Sequence, residues 1–118
     1  MKVITKNMGN AVVARLVGEI GMADSEQLRE TLDAIVHENP QNLVLDFSEV
    51  SYIASVGLTL LLKLTQELRK LKGRLVIAAA TPSVLGVLTA VHMGSAMPIR
   101  PTVKSALDLV GAECAVAV

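Results

Sequence analysis

Residues 43–62 read Leu43-Val44-Leu45-Asp46-Phe47-Ser48-Glu49-Val50-Ser51-Tyr52-Ile53-Ala54-Ser55-Val56-Gly57-Leu58-Thr59-Leu60-Leu61-Leu62. Two patterns meet in this stretch. Leu43 to Phe47 is an apolar run with an acid near its end, which suits a strand buried on both faces among parallel neighbours. From about Val56 to Leu71 the spacing turns helical. Leu58, Leu61, Leu62, Thr65 and Leu68 share one face, Lys63, Gln66, Glu67 and Lys70 share the other, and Gly73 is expected at C′. Ser55 falls where the helix should begin. A hydroxyl held there lies beside unpaired backbone N–H groups and the positive end of the helix dipole, a position that would tolerate a phosphate.

Working outward, Val3–Lys6 and Ala11–Val17 read as strands, joined through the turn chemistry of Asn7-Met8-Gly9-Asn10 into a hairpin. Asp24 reads as an N-cap with Gln27 three positions on, and Leu28, Leu32, Ile35 and Val36 form the buried stripe of the first helix. Asn39-Pro40 should stop it. Beyond the second helix, Leu75–Ala79 is another apolar strand. Thr81-Pro82 opens a third helix built on Val84, Leu88 and Val91 and closed by Gly94. Met97–Ile99 reads as a short edge strand, because Pro98 cannot donate to a ladder. Thr102 caps a fourth helix with Val103, Ala106, Leu107 and Val110 inward and Gly111 at its end. The order β-β-α-β-α-β-α-β-α predicts an α/β fold, a mixed sheet packed against about four helices.

The 118 residues suit a single domain, 1–118, that buries enough surface to fold without a disulfide or a metal. Zero net charge without a basic block argues against nucleic acid, and 2% aromatic residues leave no platform for stacking bases. The single cysteine, Cys114, permits no intrachain disulfide and fits a reducing cytoplasm. Leu75 to Ile99 lacks Lys, Arg, Asp and Glu and is long enough to span a bilayer. Thr81-Pro82-Ser83 interrupts it, however, and Gly86, His92, Gly94, Ser95 and Pro98 dilute it, so a strand, a turn and a helix are the reading, with no direct membrane insertion.

Leu45-Asp46-Phe47-Ser48 followed by Tyr52-Ile53-Ala54-Ser55-Val56-Gly57-Leu58 resembles the signature of STAS domains, and within them the stand-alone anti-sigma factor antagonists of bacteria. The resemblance extends over nearly the whole chain, since the elements before and after fall in the family's order. It implies a STAS-like fold and a protein–protein interaction module. It further implies that Ser55 is the phosphate acceptor of a partner that is both serine kinase and anti-sigma factor. The unmodified form would bind that partner and free the sigma factor, and a phosphatase would reset the cycle. Partner contacts would come from Ala54, Ser55, Val56 and Gly57, with the loop at Asp24 on the same surface, and Asp46 near the acceptor serine. This sequence departs from the family's common pattern in carrying Ala54 where Asp often precedes the serine, and the bulkier Val56 after it. A second implication of the same resemblance is a STAS subunit docked on a membrane transporter complex, such as a lipid-transport ABC system, in which Ser55 need not be modified.

The residues themselves carry plainer readings beside these. As an N-cap, Ser55 would contribute about 1 kcal/mol to its helix. Asp46 can accept hydrogen bonds from loop N–H groups between Ser48 and Ser51, which makes Asp46 and Ser48 structural support. Gly57 allows close backbone approach. A nucleophile elbow would need Gly two positions before the serine, where Ile53 stands. His37 and His92 are the only candidate bases, and two histidines and one cysteine far apart offer no metal-ligand spacing. No Gly-rich phosphate loop is present. The expectation is therefore a cytoplasmic module without catalysis, cofactor or metal.

Overall fold

The computed structural model describes residues 2–8, 11–37, 42–71, 73–95 and 97–109, the side chains of Met8 and residues 22–25 excepted. In chain order these form β1 (Lys2–Met8), β2 (Ala11–Ile20), α1 (Met22–His37), β3 (Asn42–Ile53), α2 (Ser55–Lys70), β4 (Arg74–Ala78), α3 (Pro82–Ala90), a 3-10 turn (Met93–Ser95), β5 (Ile99–Arg100) and α4 (Val103–Leu109). The expected order of elements is the observed one. The helix stop at Asn39-Pro40, Val110, Gly111 and the tail with Cys114 lie outside the described residues.

The strands form one sheet in the order β1-β2-β3-β4-β5. β1 pairs with β2 antiparallel, and β2 to β5 run parallel. Strand alternation sends Leu43, Leu45 and Phe47 of β3, with Leu75 and Ile77 of β4, to one face. There they meet Leu28, Leu32, Ile35 and Val36 of α1, Leu60, Leu61, Leu64 and Leu68 of α2, and Val84 and Leu88 of α3. Val44, Val76 and Ala78 point the other way, onto Ala106 of α4. The first three helices thus share a thick layer while α4 covers a thin one, and β3, in the middle, is buried on both sides as its unbroken run requires.

Several expectations need correction. β3 runs twelve residues to Ile53, well past Phe47. Between the pairs Arg15–Asp46 and Val17–Glu49 it advances three residues while β2 advances two, and a second shift follows at Gly18/Glu19. These bulges absorb Ser48 to Tyr52, whose polar content reads as loop. On α2, Leu62 is 39% exposed while Leu60 and Leu64 are buried. A run of three leucines is apolar all round, so the pattern alone does not say which one faces out. Val91, expected inward, is 48% exposed beyond the end of α3. That helix stops at Ala90, four residues before Gly94, and His92 takes the left-handed conformation at φ 56°. Gly73 is not at C′ either; its N–H reaches Leu68 O at 2.6 Å, the longer bond of a Schellman stop, which places it one residue later. The charge-free segment 75–99 folds as β4, α3, the short turn and the start of β5, and among the described residues no helix is long and apolar enough to cross a membrane.

Candidate functional site

The junction between β3 and α2 is set by Ala54. Its φ of −87° and ψ of 166° continue the extended strand, and its N–H donates to Ile20 O at 2.8 Å, tying the end of β2 to the start of α2. Its carbonyl accepts from Gly57 N at 2.9 Å and from Leu58 N at 3.2 Å, opening the helix. Ala54 is therefore the N-cap, without a side chain that can cap, and Ser55 is the first residue inside the helix. This corrects the N-cap reading of Ser55. The serine's intrinsic preference for the cap yields to the strand pairing that fixes Ala54.

Ser55 is exposed, and its side chain takes no hydrogen bond among the described residues. Its N–H and that of Val56 belong to the first turn and have no carbonyl behind them, so both are left over at the positive end of α2. No acid stands in that turn. The outward residues that follow are Val56, Thr59 and Leu62, and the last residues of β3 add Tyr52, 53% exposed. Charge on α2 begins only at Lys63. On α2 itself the surface next to Ser55 thus carries no charge, with apolar groups in water.

Gly57 explains how the helix sits so low on the sheet. A Cβ at this position would lie 2.6 Å from Ile20 Cγ2 and 2.9 Å from Ile53 Cγ1. Both isoleucines are buried at the ends of β2 and β3. Glycine here is a packing requirement, and it brings Ser55 onto the rim of the sheet.

The remaining expected residues fall differently. Asp46 lies inside β3, not at its end. Its Oδ1 accepts from Ser48 N at 3.0 Å at the first bulge. Six residues of strand lie between Asp46 and Ile53, about 20 Å of extended chain, so Asp46 is not beside the serine. Asp24 is not a cap. α1 begins at Met22, directly after Gly21, so Asp24 falls in its first turn. Since Ile20 bonds Ala54, the starts of α1 and α2 are neighbours, and Asp24 belongs to the same end of the molecule as Ser55. Ala54, Ser55, Val56 and Gly57 are contiguous there.

Three residues were not singled out from the sequence. Tyr52 and Leu62 carry exposed apolar groups near Ser55; Leu62 follows Ser55 by seven positions, two helical turns, which is the available signal. Thr81, expected only to cap α3, stands at that N-cap but donates its Oγ1 proton to Val50 O at 3.0 Å. That bond pins α3 to the same end of β3. Among the described residues no group of three or more His, Cys, Asp or Glu could hold a metal ion.

Comparison with known proteins gives consistent matches. The STAS domain family matches residues 2–106. BtrV of Bordetella bronchiseptica, which bears the name of an anti-sigma factor antagonist, is 30% identical over 106 residues, covering 90% of this chain and 91% of the relative. The crystal structure of an anti-sigma factor antagonist from Mycobacterium paratuberculosis superposes with a TM-score of 0.86 at 28% identity, covering 92% of each chain. The anti-sigma factor antagonist SpoIIAA in its unphosphorylated form gives a TM-score of 0.78 at 25% identity, covering 92% of this chain and 96% of the other. SpoIIAA of Bacillus is known in a phosphorylated form as well.

Proposed function

The chain belongs to the STAS domain family, and from that premise we propose that it acts as an anti-sigma factor antagonist controlled by phosphorylation of Ser55. In its unmodified form it binds a partner that combines serine kinase and anti-sigma factor. The partner contacts Ala54, Ser55, Val56 and Gly57, with the start of α1 at Asp24 on the same surface. A phosphatase acting on the modified form completes the cycle. The chain is a substrate in this scheme and performs no catalysis; its place of action is the cytoplasm.

The observation that carries the reading is the setting of Ser55: an exposed hydroxyl at the first position of α2, beside two unused N–H groups, on a helix that carries no charge before Lys63. A phosphate there would bring roughly −1.5 to −2 charges. In the free protein the helix end and water accommodate that charge. In a desolvated interface opposite a surface fitted to Val56, Thr59 and Leu62, an unpaired dianion is strongly unfavourable. One modification can therefore dissociate a complex without unfolding the domain.

The test combines modification and binding. Incubation with the cognate kinase and ATP should add one phosphate, mapped by mass spectrometry to Ser55 and absent from Ser55→Ala. Ser55→Asp should lose the partner in a pull-down while its melting temperature stays near that of the wild type. A Ser55→Asp variant that binds as well as the wild type sinks the switch. Capture of a transporter subunit, with no phosphate on Ser55, would assign the chain to the transporter-docked class instead.

A further inference from the structure

The sheet has two outer edges, and they are built differently. β5 is two residues long, Ile99–Arg100, set between Pro98 and Pro101, a form that blunts an edge against further pairing. β1 runs seven residues, Lys2–Met8, without a proline, and keeps one register with β2 through seven pairs, from Lys2–Val17 to Met8–Ala11. Its outer side has no strand beside it among the described residues. A row of main-chain N–H and C=O groups therefore stands open there.

The two faces of that edge differ. Val3 pairs with Leu16 and points to the thick layer, where it packs on the core. Between it and α1 lies a notch of about 140 Å³, lined by Val3, Gln27, Leu28 and Thr31. A cavity of about 150 Å³ can hold a benzene ring, so this space suits one aliphatic side chain. Thr31 Oγ1 donates to Gln27 O at 3.0 Å, so its proton is already committed. On the other face stand Lys2, Ile4 and Lys6, opposite Val17, Arg15 and Val13. All three are exposed, Ile4 by 45%. Arg15 is taken by Glu49, whereas neither lysine has an ion pair or a side-chain hydrogen bond among the described residues.

We propose that this edge takes an extended segment of another protein as a sixth strand, with one aliphatic side chain in the notch and carboxylates against Lys2 and Lys6. Main-chain bonds give such a strand its affinity, and its alternating side chains give selectivity. Antiparallel pairing, the more stable kind, fixes the order of its residues. Opposite Lys6, Thr5, Ile4, Val3 and Lys2 the edge calls for acid, polar, apolar, aliphatic and acid in turn. Charge decides between this occupant and a second copy. Two β1 strands paired antiparallel about Ile4 would set each Lys2 directly against Lys6 of the other, and like charges so placed are destabilising. The lysines that turn away a second copy thus select an acidic strand. The edge uses no residue of the Ser55 surface, and the proposal stands whether or not the chain is an antagonist.

The experiment is a titration of the isotope-labelled full chain with the end-blocked peptide Ser-Glu-Thr-Val-Leu-Glu-Ser, followed by amide shifts at constant ionic strength. Saturable shifts centred on Val3 to Lys6 and on Gln27 to Thr31 are expected. The double variant Lys2→Glu/Lys6→Glu should weaken binding about tenfold or more, because attraction turns to repulsion at two exposed pairs. The peptide Ser-Lys-Thr-Val-Leu-Lys-Ser should bind that variant instead. Both lysines are exposed, so the rest of the variant's spectrum should match the wild type. A paired strand also has a signature that charge attraction lacks, since only alternate amides of the peptide face the edge. Of two peptides N-methylated at alternate positions, one should keep its affinity and the other lose it. Shifts that fail to saturate or centre elsewhere, equal binding of the two methylated peptides, or undiminished binding by the double variant overturn the proposal. So does broadening of the β1 amides with rising protein concentration in the absence of peptide, which would give the edge to a second copy.

Discussion

Ala54 and Gly57 show what the start of α2 demands of single residues. Ala54 already has the extended backbone of an N-cap but no side-chain oxygen to offer the first turn. Ala54→Asp, which restores the acid common in the family, should let a carboxylate accept from the N–H of Val56 or Gly57. Chemical denaturation should then find the variant more stable by about 1 kcal/mol. No gain would mean that the cap site cannot take a side chain. Gly57→Ala should go the other way. Helix propensity alone would favour alanine by up to about 1 kcal/mol, but its Cβ would collide with Ile20 and Ile53. Overpacking of this kind costs about 1–3 kcal/mol, so a net loss of stability is expected in the same measurement. The position of Ser55 near a helix start was legible because an apolar strand pattern and a helical pattern meet there. Its one-residue displacement from the cap was not, since the bond from Ala54 to Ile20 joins residues 34 positions apart.

Elements were legible where their stop and start signals are local. Thr102 caps α4 as expected, with Ser105 N donating to its Oγ1 at 3.0 Å and Thr102 N reaching Ser105 Oγ at 3.2 Å in return. The stripe of α1 is buried residue for residue. Signals failed where tertiary contacts outrank them. β3 outruns its apolar core because β2 keeps pairing with it through two bulges. Just past the end of α3 the left-handed stop falls on His92, although glycine is the residue best suited to it. This last mismatch has a measurable consequence. His92 is exposed, so His92→Gly removes a backbone penalty without touching the core. The left-handed conformation costs an ordinary residue about 1–2 kcal/mol, part of which the greater freedom of unfolded glycine cancels. A thermal melt should show a gain of up to about 1 kcal/mol; a loss would mean that the imidazole makes a compensating contact.

For the molecule as a whole, the two faces of the sheet are unequal, and topology is the cause. Right-handed crossovers between neighbouring parallel strands put α1, α2 and α3 on one face. α4 follows the last strand, has no further strand to reach, and closes the opposite face with Ala106 fully buried and Val103, Leu107 and Leu109 only partly so. The alternation within β3 and β4 displays both faces in the sequence, but nothing local says which one α4 must cover. Stability should be distributed accordingly. Phe47, fully buried in the thick layer, should cost about 3–5 kcal/mol on truncation to alanine, a large share of the roughly 5–15 kcal/mol that holds a domain folded. Amide hydrogen exchange should rank the layers: β3 from Leu43 to Phe47 opening only with global unfolding, α4 through local opening at lower free energy. Phe47→Ala should then speed exchange in β3, while Leu107→Ala should speed it in α4 and leave β3 almost unchanged. The ends of β2 and β3, where Ile20 and Ile53 support Gly57, belong to the thick layer. Exchange at Ile53 should follow the global rate, so the platform under Ser55 stays rigid while its hydroxyl remains free to react. If Ile53 exchanges as fast as α4, the surface around Ser55 is not preformed, and a charge placed there would act by loosening the fold instead of blocking a docked partner.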